Sequence, residues 1–195
     1  MEIMYISKYK ADTDMFDKIP TIKIGQIMLR SIYPNKIDIE AKYYHRISCD
    51  SLVKQYLPGA YTENEEQALK KIDEYIHRTL SGASVLFCIA RTDDKKPIGY
   101  ILCNSPIMNF HNSKEQIGDW TIDFWLHPDI RGNGIMTVSV MYVLDHMQKM
   151  QIPKVYAYTE KENIKSVKVL TKCGMKIIDE TGDNKMYRLG ILLNE

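Results

Sequence analysis

The 195-residue chain predicts an α/β fold on a central sheet of mixed, mostly antiparallel direction. Three observations predict it. Helical patterns precede the β-rich middle of the chain. Two β-rich runs, 84–91 and 97–104, then flank the polar turn Asp93-Asp94-Lys95-Lys96 and read as an antiparallel hairpin. From 119 onward the order is strand, helix, strand, helix, strand, strand, so only the middle strand-helix-strand unit carries parallel strands. The length suits one domain with a core that needs no staples. A single domain over 1–195 is expected, with 1–23 an extension packed on a core over 24–195.

Residues 1–23 mix charge and apolar groups without a period. A first strand is expected over 23–33 and ends at Pro34-Asn35. Asn35 is the expected cap of a helix with Ile37, Ala41, Tyr44 and Ile47 on one side. Thr62 is expected to cap a second helix, with Glu65 completing a capping box. Ala68, Leu69, Ile72, Tyr75, Ile76 and Leu80 follow at helical spacing, and Gly82 stops the run.

After the hairpin, 105–118 is longer than a hairpin connection needs, and loops of that length often carry function. The run 119–127 (DWTIDFWLH) alternates, with Asp119, Thr121, Asp123 and Trp125 on one face. Trp120, Ile122, Phe124 and Leu126 take the other, and Pro128 ends the strand. A helix over 134–150 has Met136, Val140, Val143, Leu144 and Met147 as its buried stripe. A strand over 154–158, a helix over 163–173 stopped by Gly174, and strands near 176–179 and 185–193 complete the order.

Composition narrows the function. A net charge of +1 provides no basic field for nucleic acid. The most apolar stretch, 135–144, is too short to span a bilayer, and the N-terminus lacks a signal-peptide pattern. Cys49, Cys88, Cys103 and Cys173 form no CxxC pair and have no histidine at ligand spacing. They read as buried small apolar residues in a reducing, cytoplasmic compartment, with no metal implied.

The chemistry concentrates where the strand over 119–127 feeds Pro128-Asp129-Ile130-Arg131-Gly132-Asn133-Gly134-Ile135 into a helix. The first N–H groups of a helix have no internal acceptors, and its dipole adds positive potential. Gly132 and Gly134 let backbone approach a ligand, and the Arg131 guanidinium suits phosphate oxygens. No Gly-Lys-Ser/Thr follows, so this is not a Walker loop, and the third glycine of a dinucleotide fingerprint is missing.

The run from Trp125 to Met136 resembles motif A of the GCN5-related N-acetyltransferases (GNAT). Arg131, Gly134 and Met136 stand at the fixed positions of Gln/Arg-x-x-Gly-x-Gly/Ala, and Met136 departs from the small residue usual there. Downstream, Asn163-Ile164-Lys165-Ser166, Val169-Leu170 and Lys172-Cys173-Gly174-Met175 resemble the family's Asn-x-x-Ser/Ala helix ending in Gly-Phe. The resemblance spans about residues 84–190 and is nearest to the branch of ribosomal-protein alanine and spermidine acetyltransferases.

This resemblance implies helices on both faces of the sheet, splayed central strands, and acetyl-CoA as co-substrate. The implied acceptor is a primary amine of a small molecule or a protein N-terminus; charge and hydropathy suggest no nucleic acid or membrane partner, and a monomer or homodimer is expected. The implied CoA contacts are Trp125, Leu126, His127, Arg131, Gly132, Asn133, Gly134, Ile135, Met136, Asn163, Ser166 and Lys172. Lys161, Lys165, Lys168 and Lys172 form a basic band on the second motif's helix. For the base, Thr121 stands where members often carry Glu, which leaves Asp123, with Asp119 second. For the acid, Leu170 stands where a tyrosine is usual, and Ser166 is the substitute. Tyr56 and Tyr61 lie near where such acceptors bind. A second reading stays open on the same two departures: a CoA-binding sensor or interaction module that kept the fold and lost catalysis.

Overall fold

The computed structural model describes residues 19–106, 119–181 and 185–193. Most of the expected N-terminal extension and of the 105–118 loop lies outside the described residues. Within them, one sheet of eight strands runs in the order β1-β2-β3-β4-β5-β6-β8-β7. Its strands are β1 (Ile22–Ile24), β2 (Ile27–Ser31), β3 (Ser84–Arg91), β4 (Pro97–Asn104), β5 (Trp120–Leu126), β6 (Lys154–Glu160), β7 (Lys176–Thr181) and β8 (Met186–Leu192). Every neighbouring pair is antiparallel except β5 and β6.

The expected first strand is instead a hairpin. Ile24 pairs with Ile27, and Gly25 turns the chain at φ +57°, a conformation that disfavours a side chain. Between β2 and β3 lie three α-helices, α1 (Ile37–Ser48), α2 (Ser51–Tyr56) and α3 (Glu65–Leu80). The sequence reading missed α2, whose cap is Asp50: its carboxylate accepts from the N–H groups of Leu52 and Val53 at 3.1 and 3.3 Å.

Two other caps differ from expectation. Asn35 lies within a 3-10 turn, Pro34–Lys36, and α1 begins after Lys36, whose side chain makes no cap. Helix α3 is capped by Asn64, whose Oδ1 accepts from the Gln67 N–H at 2.9 Å, while Gln67 Oε1 accepts from the Glu63 N–H at 2.9 Å. Thr62 is 1% exposed, and its hydroxyl bonds His45 Nδ1 at 3.0 Å. A hydroxyl buried beneath α1 is committed there and unavailable to start a helix.

Strand alternation divides the core in two. One face of the sheet, with Ile89, Ile101, Ile122 and Leu126, packs against Met136, Val140, Val143, Leu144 and Met147 of α4 (Ile135–Lys149) and Leu170 of α5 (Ile164–Lys172). The other, with Leu86, Cys88, Tyr100, Leu102 and Trp125, packs against α1 and α3 through Ala41, Tyr44, Ile47, Ile72 and Ile76. Helices therefore cover both faces. Arg30 on β2 and Glu40 on α1, each nearly inaccessible, pair at 2.8 Å inside the second core. Cys88, Cys103 and Cys173 are buried, as the composition suggests, but Cys49 is exposed beyond the end of α1.

Candidate active site

The parallel pair β5–β6 is joined only at its start, Trp120↔Val155 and Thr121↔Tyr156. The rest of β5 stays on β4, where the pairing runs from Asn104↔Thr121 to Gly99↔Leu126. Gly99 permits this close packing: a Cβ there would lie 2.5 Å from the Leu126 side chain and 2.8 Å from the Trp125 carbonyl. The His127 N–H donates to the Ile98 carbonyl at 2.9 Å, which sets the phase of the ladder. Trp125 and Asp123 then address β4 with their backbone, while Phe124 and Leu126 turn theirs toward the side that β6 has left.

A cleft of about 420 Å³ occupies that separation. Its walls are Ile122 to Leu126 of β5, Ala157 to Glu160 of β6, Met186 of β8, and Leu52, Val53, Tyr56 and Leu57 on and just after α2. Arg131, Gly132, Gly134, Ile135, Met136 and Thr137 form the end at the start of α4, and α5 contributes Lys165, Ser166, Lys168, Val169, Leu170 and Lys172, with Asn163 before them.

At that end the chain turns through Gly132 at φ +89° and Gly134 at φ +76°, the latter being the N-cap of α4. A Cβ on either would meet nothing within 4 Å, so the backbone angle demands glycine while the space beside it stays open. The first helical bond is Val138 N–H to Gly134 C=O, 3.1 Å, which leaves the N–H groups of Ile135, Met136 and Thr137 without helical acceptors. Open space, free donors and a helix dipole fit a pyrophosphate.

Arg131 is spoken for. Its Nε and Nη2 donate to the Leu126 carbonyl at 3.0 and 2.8 Å, and Nη2 also meets Asp50 at 2.7 Å. The guanidinium thus braces the loop against β5 and α2. His127 and Asn133 lie outside the cleft lining. The His127 ring accepts from the Asp129 N–H at 3.4 Å, and Asn133 Nδ2 donates to the Ile130 carbonyl at 3.4 Å. Trp125 lines the cleft with its indole buried, its Nε1 donating to Ser48 Oγ at 2.9 Å.

Asp123 and Asp119 share a face of the strand but not an environment. Asp123 lines the cleft, and its Oδ2 accepts from Asn104 Nδ2 at 3.2 Å. Removal from water pushes its carboxyl up to about 6, against the opposing pull of that hydrogen bond. Asp119 lies outside the cleft lining and pairs with Lys154 at 2.7 Å.

Across the cleft Asn163 caps α5, its Oδ1 accepting from the Ser166 N–H at 3.3 Å. Leu170 is 1% exposed and packs in the core. Of the basic band, Lys165, Lys168 and Lys172 border the cleft, whereas Lys161 pairs with Glu180 at 2.6 Å. Residues missed from the sequence are Asp50, Ser48, Asn104, Glu160, Leu52, Val53 and Leu57; Tyr56 lines the cleft beside them, and Tyr61 lies outside its lining. Asp50-Ser51 before Leu52-Val53 is a readable N-cap signal; the others carry no local signature. Among the described residues no group of three or more His, Cys, Asp or Glu could hold a metal ion, and no helix is long and apolar enough to cross a membrane.

Comparison with known proteins supplies the family and the fold. The family model for the acetyltransferase (GNAT) domain matches residues 26–176. No curated protein sequence matches the chain. Among solved structures, a GNAT-family acetyltransferase from Bacillus anthracis superposes with a TM-score of 0.71 at 17% identity, over 90% of this chain and 100% of that one. Ribosomal-protein-S5-alanine acetyltransferase from Vibrio fischeri gives 0.72 at 16%, over 90% and 98%. Spermidine N-acetyltransferase from Vibrio cholerae, solved with CoA and spermine, gives 0.67 at 18%, over 87% and 97%. At these identities the superpositions speak for the fold alone.

Proposed function

The chain belongs to the GNAT acetyltransferase family, and from that membership we propose that it moves an acetyl group onto a primary amine held beside Asp123 in the β5–β6 cleft. Acetyl-CoA, when bound, supplies the activated thioester. The open backbone of Phe124 and the N–H of Leu126 receive the pantetheine arm, in the place where a strand would pair. The free N–H groups at the start of α4 take the pyrophosphate, and Lys165, Lys168 and Lys172 face its phosphates. Asn163 and Ser166 border the same path, with Ser166 the donor toward the departing sulfur.

Asp123 accepts the ammonium proton. A carboxyl lifted to about 6 is ionised at neutral pH yet basic enough to hold a proton in transit. Leu52, Val53, Tyr56 and Leu57 form the apolar wall that excludes water from the amine. The acceptor is a small-molecule amine or a protein N-terminus, in keeping with the S5-alanine and spermidine enzymes whose fold the chain shares. The protein works in the cytoplasm as a monomer or homodimer.

The separation of β5 from β6 beside a carboxyl of raised pKa carries this reading. The test is thiol release from acetyl-CoA in the presence of polyamines, aminoglycosides and ribosomal N-terminal peptides. At least one amine is expected to turn over. CoA binding with no thiol release on any amine would overturn the reading.

A further inference from the structure

The elbow between α1 and α2 meets β5 through Ser48 and the loop after β5 through Asp50. Ser48 accepts from the Trp125 indole at 2.9 Å. Two residues on, Asp50 Oδ1 does three things at once: it meets Arg131 Nη2 at 2.7 Å and accepts from the Leu52 and Val53 N–H groups at 3.1 and 3.3 Å. Arg131 in turn holds the Leu126 carbonyl with two donors, so that backbone oxygen on the open side of β5 is already filled. Asp50 and Arg131 are 14% and 21% exposed, shielded enough for the pair to hold one geometry.

We propose that Asp50 is a positioning residue that joins the two substrate subsites, setting the CoA loop through Arg131 and the amine wall through its cap on α2. Arg131 stands three residues before Gly134, so its anchorage fixes where the first donors of α4 point. The same oxygen starts the helix that carries Leu52, Val53 and Tyr56 into the cleft. Neither end can shift without releasing the other. An Arg131 held in this way sets the cradle's shape and is not itself a phosphate ligand. This inference rests on the assignment of the cleft to acetyl-CoA and an amine.

Asp50→Asn isolates the charge, because an Asn carbonyl accepts the same two N–H groups and Asn caps as well as Asp. Arg131→Met removes the other partner. The readouts are acetyl-CoA affinity by calorimetry, amine KM against kcat, and melting temperature. Each single variant is expected to weaken acetyl-CoA binding about tenfold and raise amine KM, with kcat at saturation changed far less. The double variant is expected to lose no more than either single, the mark of one shared interaction. Wild-type affinity and KM in Asp50→Asn would overturn the proposal, as would a double variant whose losses multiply. A large loss in Arg131→Met with none in Asp50→Asn would make Arg131 a phosphate ligand instead. If a single variant melts too low to assay, Arg131→Lys replaces Arg131→Met; one amine cannot serve both Leu126 and Asp50, so a wild-type profile there also counts against the strut. Failure of the wild type to bind acetyl-CoA would instead sink the assignment of the cleft itself.

Discussion

At the residue scale the site turns on how differently two carboxylates of one strand face are treated. Asp119 has Lys154 at 2.7 Å, whereas Asp123 has an amide and an apolar wall. Burial raises the Asp123 carboxyl to about 6 from an ordinary 3.8. Its protonated form therefore contributes stability that is fully present below about pH 4 and lost as the pH rises through about 6. Asp123→Asn mimics that form and keeps the bond from Asn104. At pH 7 it is expected to stabilise the fold by about 1–2 kcal/mol, with little gain at pH 4, measured by urea unfolding. The same variant is expected to lower kcat by roughly 10²–10³ and to abolish the acid limb of the pH–rate profile near 6. A limb that survived the substitution would assign the titration to another group.

At the scale of elements, helix starts show how local signals compete. Thr62 and Asn64 are both good caps on paper, two positions apart. Burying Thr62 against His45 leaves Asn64 to start α3. Asn64→Ala is expected to cost about 1 kcal/mol and to speed amide exchange at Gln67, whereas Thr62→Ala leaves that exchange unchanged. Faster Gln67 exchange in Thr62→Ala than in Asn64→Ala would return the cap to Thr62. The Gly132–Gly134 turn is the opposite case. Two glycines, an alternating strand before them and a periodic helix after them agree on one structure, so the anion cradle is legible from the sequence.

At the scale of the whole molecule, the sheet separates two apolar cores, each with its own helices. Leu144 of α4 and Ile72 of α3 lie on opposite faces and belong to different clusters. Leu144→Ala and Ile72→Ala are each expected to cost about 2–5 kcal/mol, and the double variant their sum within about 0.5 kcal/mol. Strong coupling in denaturant titration would show that the sheet transmits packing strain between its faces. The cleft belongs to this scale too, because α2, β5, β6, α4, α5 and β8 all contribute to it.

What the sequence determined by itself was everything written in short-range periodicity and turn chemistry: the hairpin β3–β4, the alternation of β5, the stripe of α4, the glycine turn between them, and the family of folds these belong to. Those signals depend on neighbours a few positions apart. The tertiary structure alone decided which polar groups were already engaged. Arg131 reads as a phosphate ligand because its guanidinium suits one, and only the fold shows that the same guanidinium also meets a carboxylate 81 positions away and a strand carbonyl. Asp123 ranks ahead of Asp119 in the pattern, but the two share one strand face, and their environments diverge only through Lys154 and Asn104, which come from other strands. A side chain's role follows from the partner it meets and the water it loses, and both are set by contacts between segments remote in sequence.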